Sequence, residues 1–308
     1  MNAEIKTGLA GLYKFKVSRP DGSVRVETDW IPNLITDGGL DQIGKGLPFK
    51  YCSVGSGTAA PANTDSALAT RIATTTVAPS TTGSGAQATA PYYGFMLYTF
   101  VFAQGAAAGN LSEVGVGWGS TGANLFSRAL ISPTITVLAD EVLTVVYQIR
   151  MYVPTADVTG SVTIGGTSRS FVVRAARCTA PTSTQGWMGP LLADAAPPNG
   201  GVYLASIGSF ANVAYAAAAT LGAITGAPSG GGTGWFQTSL SYSTYVDGNH
   251  YKDLTIAGGI GDANLTGGIG CFVMQCSLGH YQMSFSPALE KDNTKTISLT
   301  FRVSWARH

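Results

Sequence analysis

Residues 141–153, EVLTVVYQIRMYV, alternate with a period of two, so that Leu143, Val145, Tyr147, Ile149 and Met151 share one face. This is the pattern of a strand with one buried side. Residues 294–307, TKTISLTFRVSWAR, repeat it with Ile297, Leu299, Phe301, Val303 and Trp305. Each strand follows a Ser-Pro, and the two prolines, Pro133 and Pro287, stand 154 positions apart in a chain of 308. At the same offset Asn110-Leu111 meets Asn264-Leu265, and LYTFVFAQG (97–105) meets YKDLTIAGG (251–259). Further upstream, with a small drift, Tyr51 and VGS (54–56) face Tyr203 and IGS (207–209), and Trp30 faces Trp187. Each half opens with a hairpin pattern, one turning at Pro20-Asp21-Gly22 and the other at Gly165-Gly166, where proline presets φ and glycine accepts its positive values. A repeat of this length sets the fold before any single element is assigned. The expectation is an all-β chain of two tandem, similar β-sandwich units, 1–153 and 154–308.

Forty glycines, 13 tyrosines and 12 phenylalanines fit turn-rich β structure. Long amphipathic helical patterns are absent. Long Gly/Ala/Thr-rich loops are expected at 74–91 and 216–234, with short helices at 64–72 and 212–221.

Charged residues make up 11% of the chain, against about 25% in ordinary soluble domains. Interspersed charge and edge lysines normally keep a free monomer dispersed, so such a surface reads as that of an assembly subunit. A net charge of +1 supplies no electrostatic reason to expect nucleic acid. No apolar run reaches the ~18 residues of a membrane span, and MNAEIKTGLAGLYKFKV lacks the long apolar core of a secretory leader. Synthesis in a reducing cytoplasm follows, and Cys52, Cys178, Cys271 and Cys276, without CxxC or zinc-type spacing, read as buried free thiols. No cofactor or metal is expected.

Candidate chemistry is sparse. Gly39 to Lys45 matches GxxxxGK, but Gly46 stands where a phosphate loop needs Ser or Thr. Cys276 and His280 have no evident orienting group. Glu113, Asp140, Glu141, Asp247, Asp253 and Asp262 are acidic, but mostly in turn-like surroundings. A glycosidase pair would need a separation of about 5–10 Å that sequence does not reveal. No catalytic residue is assigned. Tyr92, Tyr93, Trp235 and Phe236, beside the flexible loops, are the candidate interaction surface, with packing at a strand start as the simpler alternative.

Three stretches together carry a resemblance: NLITDGGLDQIG (33–44), YCSVGSGTAAPANTDSALATRI (51–72) and LSEVGVGWGSTGANLFSRALI (111–131), continued by ADVTGSVTIGGTSRSF (156–171). They resemble tail structural proteins of tailed bacteriophages, including tail-fibre and tail-tip proteins. The likeness covers about residues 30–171. The second half departs from it, with Gly267, His280, Tyr281 and Gln282 at the offset positions of Glu113, Phe126, Ser127 and Arg128. In physical terms the first stretches read as a sandwich corner, in which Gly55 and Gly57 supply unusual backbone angles and Leu68 and Ile72 enter the core.

The resemblance implies a non-enzymatic virion protein of the tail tip, baseplate or fibre attachment region, assembled in the host bacterial cytoplasm. Its partners would be other phage tail, baseplate and fibre proteins and copies of itself. A trimer of duplicated chains would present six similar units, matching sixfold to threefold neighbours. A host surface receptor is a further expected partner; nucleic acid and membrane insertion are not. The alternatives are a receptor- or glycan-binding fibre module, or a head decoration or fibre protein of the same virion class.

Overall fold

The computed structural model describes residues 3–45, 50–76, 83–176, 178, 212–236, 240–276 and 278–308. The described chain is nearly all β. The first half contains β1 (Glu4–Ser18), β2 (Val24–Glu27), β3 (Ile31–Pro32), β4 (Leu34–Ile35), helix α1 (Asp37–Lys45), β5 (Tyr51–Gly55), β6 (Arg71–Thr76), β7 (Gly83–Ala86), β8 (Tyr93–Phe102), β9 (Gly109–Gly117), β10 (Leu125–Val137) and β11 (Val142–Tyr152). The second contains β12 (Val158–Ile164), β13 (Thr167–Ala175), β14 (Asn212–Ala216), β15 (Thr233–Phe236), β16 (Leu240–Tyr242), β17 (Tyr251–Gly258), β18 (Ile269–Cys276), β19 (Gly279–Leu289) and β20 (Ile297–Arg307).

These strands form three sheets. The long one runs β16-β17-β20-β1-β11-β8-β7, with β2 and β3 also paired to β1; the second runs β4-β10-β9-β5-β6, and the third β12-β13-β19-β18-β14-β15. At the centre of the long sheet, β1 runs antiparallel to β11 along Gly8–Ser18 and parallel to β20 along Glu4–Leu9. It follows that β11 and β20 run in opposite directions.

Alternation along β1 explains how both smaller sheets pack against this strand. Ile5, Thr7, Leu9, Tyr13, Phe15 and Val17 are buried on one face, while Lys6 and Lys16 are exposed on the other. On the buried face Tyr13 Oη lies 2.8 Å from Ser127 Oγ and accepts from Val116 N at 2.9 Å, both in the second sheet. Six residues earlier, Thr7 Oγ1 lies 2.8 Å from Tyr281 Oη and donates to Leu278 O at 3.0 Å, at the third sheet. Phe301 of β20 meets Phe272 of β18 with ring centroids 5.5 Å apart. Both smaller sheets therefore cover the same face of the long one, and the apolar core is continuous beneath them.

The strand orders of the halves correspond where the sequence offset is clearest. Orders β11-β8-β7 and β20-β17-β16 lie on either side of β1, and β4-β10-β9-β5-β6 compares with β13-β19-β18-β14-β15. Both expected hairpins form, with positive φ at Gly22 and at Gly165 and Gly166. Their places differ, however. Strand β1 enters the centre of the shared sheet, whereas β12 and β13 lie at one end of the third, and the β1–β20 ladder crosses the 153/154 boundary.

Several local expectations change. The stretch 33–44 contains a helix, α1, rather than a bare corner: Thr36 Oγ1 accepts from Gly39 N at 2.9 Å as an N-cap, and Leu40 and Ile43 are buried one turn apart. Segment 64–72 is turn and bend leading into β6, with Ile72 exposed and Leu68 half-buried, so Ile72 does not enter the core. Segment 212–221 begins with β14, because its backbone pairs with β18 and β15. The low-complexity stretches also contain β7 and reach into the ends of β6, β14 and β15. Trp187, Tyr203 and residues 207–209 lie outside the described residues.

Candidate functional site

A densely bonded polar group beside the second sheet is built from two of the three stretches that carry the resemblance, 51–72 and 111–131. Adjacent strands β9 and β10 place Glu113 and Arg128 two pairs apart in register, since Gly115 faces Arg128 and Leu130 faces Glu113. Both side chains are almost wholly buried. Glu113 accepts from Arg128 Nη2 at 2.8 Å and Nε at 3.1 Å, and from the backbone amides of Thr70 at 2.7 Å, Gly57 at 3.0 Å and Ala69 at 3.1 Å. Arg128 also donates to Asp65 Oδ2 at 2.8 Å and to Ala59 O at 2.9 Å.

The effect is to clamp the strandless connection 56–70 onto the sheet. Asn63 O and Ser66 O add bonds to the amides of Asp37 and Leu125. Burial pushes the Glu113 carboxyl up, but the amides of Thr70 and Ala69 and the Arg128 guanidinium outweigh it and hold the acid below its ordinary value. Asp65 is lowered in the same way against its own desolvation, by the Ala62 amide and Arg128. Gly55 and Gly57 serve close approach rather than unusual φ: a Cβ would lie 2.3 Å from Thr70 O at position 55, and 2.5 Å from Glu113 Oε1 at position 57. The clamp holds its charges ionised, paired and away from solvent, an arrangement suited to fixing a loop rather than moving a proton.

The third sheet holds a neighbouring loop without charge. Gln282 and Cys271 stand two pairs apart in register there, as Arg128 and Glu113 do in the second sheet, since Val273 faces Gln282 and Cys271 faces Ser284. The sequence offset had pointed to Gly267, because the β9–β10 connection is longer than that between β18 and β19. Gln282 Nε2 donates to Gly222 O, Ala223 O and Ala175 O, and its Oε1 accepts from Gly222 N at 2.8 Å. Cys271 Sγ donates to Ala219 O at 3.3 Å.

A third cluster joins the halves at α1. Asp41 Oδ1 accepts from Tyr245 Oη at 2.6 Å and Gly248 N at 2.8 Å, with His250 Nε2 3.3 Å away, and Lys45 pairs with Asp247 at 2.7 Å. The GxxxxGK match lies within this helix. There Gly44 admits the Tyr245 ring and Gly39 approaches β10, where a Cβ would sit 2.1 Å from Phe126 O.

Three of the other acids, Glu141, Asp253 and Asp262, have structural partners. Arg25 holds Glu141 at about 2, with a second bond from Leu138 N, and Arg302 holds Asp253 low on the outer face of the long sheet. Asp262 accepts from Gly259 N at 2.8 Å. Asp140 lies in the exposed turn between β10 and β11. His280 is buried in β19, and the Cys276 side chain lies outside the described part. Cys52, Cys178 and Cys271 are buried free thiols.

Of the four aromatics chosen from sequence, Tyr92 and Tyr93 have described side chains. Tyr92 is half-buried against the core, with its carbonyl accepting from Val153 N. Tyr93 begins β8 and packs against Tyr152 at 5.0 Å and Phe95 at 6.3 Å, with Arg150 4.6 Å above its ring. Trp235 and Phe236 lie in β15, and their side chains fall outside the described part. Among the described residues no group of three or more His, Cys, Asp or Glu side chains could hold a metal, and no helix is long and apolar enough to cross a membrane.

No family model, curated protein or solved structure matches the chain.

Proposed function

We propose that the chain is a structural subunit of a bacteriophage tail, placed at the tail tip, baseplate or fibre attachment region and acting through its surfaces. The observation that carries this reading is the Glu113–Arg128–Asp65 clamp. Its residues come from two of the three stretches that resemble tail proteins, 51–72 and 111–131, and together they fix a loop instead of lining a reactive cleft. Low charge supports a surface covered by neighbours.

The duplication belongs to the same proposal, supported by matching strand orders on either side of β1. Three copies would carry six sandwiches. Because β11 and β20 run in opposite directions, a trimer would present them alternating in direction more readily than as a sixfold ring. Tagging the chain in intact particles and locating the tag by electron microscopy tests the assignment. Label at the distal tail or fibre junction agrees with it; label on the head, or none, rejects it.

A further inference from the structure

Among the described residues, strand β12 is the longest strand at an outer end of any sheet path, spanning seven residues, Val158–Ile164. The other outer strands span six residues in β6, with Arg71 at its start, four in β7 and β15, three in β16 and two in β4. Soluble proteins usually guard such an edge with lysine, proline, a bulge or a cover. The sequence VTGSVTI has no charge and no proline, and it pairs with β13 without a register shift.

Its geometry specifies what it can bind. The two-residue Gly165-Gly166 turn makes Ile164 and Thr167 the closing hydrogen-bonded pair. In an antiparallel ladder the amides then alternate, so Val158, Gly160, Val162 and Ile164 bond to β13, and Thr159, Ser161 and Thr163 turn their N–H and C=O groups outward. Those three residues are exposed, and none of their backbone groups has a hydrogen bond among the described residues. Val158, Val162 and Ile164 sit on the opposite face, half-buried against the core.

The strand is also self-complementary. Laid antiparallel on a second β12 with Ser161 opposite Ser161, it sets Thr159 against Thr163 and Val158 against Ile164. The outward-facing groups become the hydrogen-bonded pairs, the threonines meet in cross-strand pairs, and the half-buried Val and Ile side chains extend the apolar face across the junction. No charge on the strand opposes another. We propose that two copies of this chain associate through β12, edge to edge about a twofold axis at Ser161, joining their third sheets into one. The pairing rests on the strand itself and goes beyond the virion reading.

The full-length chain in analytical ultracentrifugation tests it. Wild type reaches twice the single-chain mass as concentration rises. Ser161→Lys and Ser161→Glu each set like charges opposite one another and weaken association about tenfold or more, while an equimolar mixture of the two restores it. Ser161→Pro removes only an outward N–H, so it also abolishes pairing while keeping the melting temperature that wild type shows at concentrations where it is a single chain. A chain that stays monomeric, an oligomer unmoved by the Ser161 variants, or a Lys and Glu mixture that does not associate would each overturn the proposal.

Discussion

Replacing Arg128 with leucine should expose what the clamp contributes. The substitution keeps apolar bulk in β10 but removes the bonds to Glu113, Asp65 and Ala59. It leaves the buried Glu113 carboxylate with three backbone amides and no cation. Breaking a buried pair on one side costs about 3–5 kcal/mol, chiefly because the remaining charge is uncompensated. Unfolding entropy of about 2.1 cal/mol/K per residue gives about 0.65 kcal/mol/K over the 308 residues if the linked sandwiches melt together. The variant should therefore melt about 5–8 °C below wild type at pH 7 in calorimetry.

The pH dependence gives this prediction a second, independent sign. In wild type the folded-state Glu113 carboxyl is depressed, so its contribution is present above the unfolded-state value and is lost as pH falls through the folded one. In the variant desolvation dominates, Glu113 takes up a proton more readily, and the neutral acid no longer needs a cation. The gap between the two proteins should narrow from pH 7 toward pH 3. Limited proteolysis should also cut the variant faster within 56–70. A loss below about 2 °C, or one that stays constant with pH, would refute the reasoning.

In the third sheet, Gln282→Leu strands the carbonyls of Gly222, Ala223 and Ala175, and should cost about 1–3 kcal/mol in denaturant unfolding with no change between pH 4 and 8, since the group carries no charge. Gly39→Ala places a Cβ 2.1 Å from Phe126 O, and overpacking of about 1–3 kcal/mol should outweigh the helix propensity gained, lowering the melting temperature. Burial pushes Cys178 and Cys271 up to about 11 and Cys52 higher still, so all three should resist iodoacetamide at pH 8 in the native protein and react on unfolding, as read by mass spectrometry.

Much of this architecture is local and therefore legible in the sequence. The alternation of β11 and β20, their Ser-Pro offset and the glycine turns of two hairpins each lie within a short window. The role of β1 does not, because its parallel partner lies almost the whole chain away and the hairpin pattern is the same whichever sheet receives it. Helix α1 was hidden by its glycines, which ordinarily disfavour helices; here they are needed where Phe126 and Tyr245 press against the axis. Glu113 and Arg128 were visible as motif residues, but their contact depends on strand register, and the bulge between Leu130 and Ile135 marks where that register shifts. The Cys271 and Gln282 counterpart was missed for a related reason: unequal hairpin lengths defeat a constant sequence offset. The exposed outward groups of β12 show the opposite limit, since residue type alone does not reveal which surface lies open.

Quantitative mass spectrometry of gradient-purified particles tests the central claim most directly. As a tail subunit, the chain should co-purify with intact particles at a fixed number of copies per particle and remain through high-salt washing. Recovery only in the particle-free fraction would contradict the account.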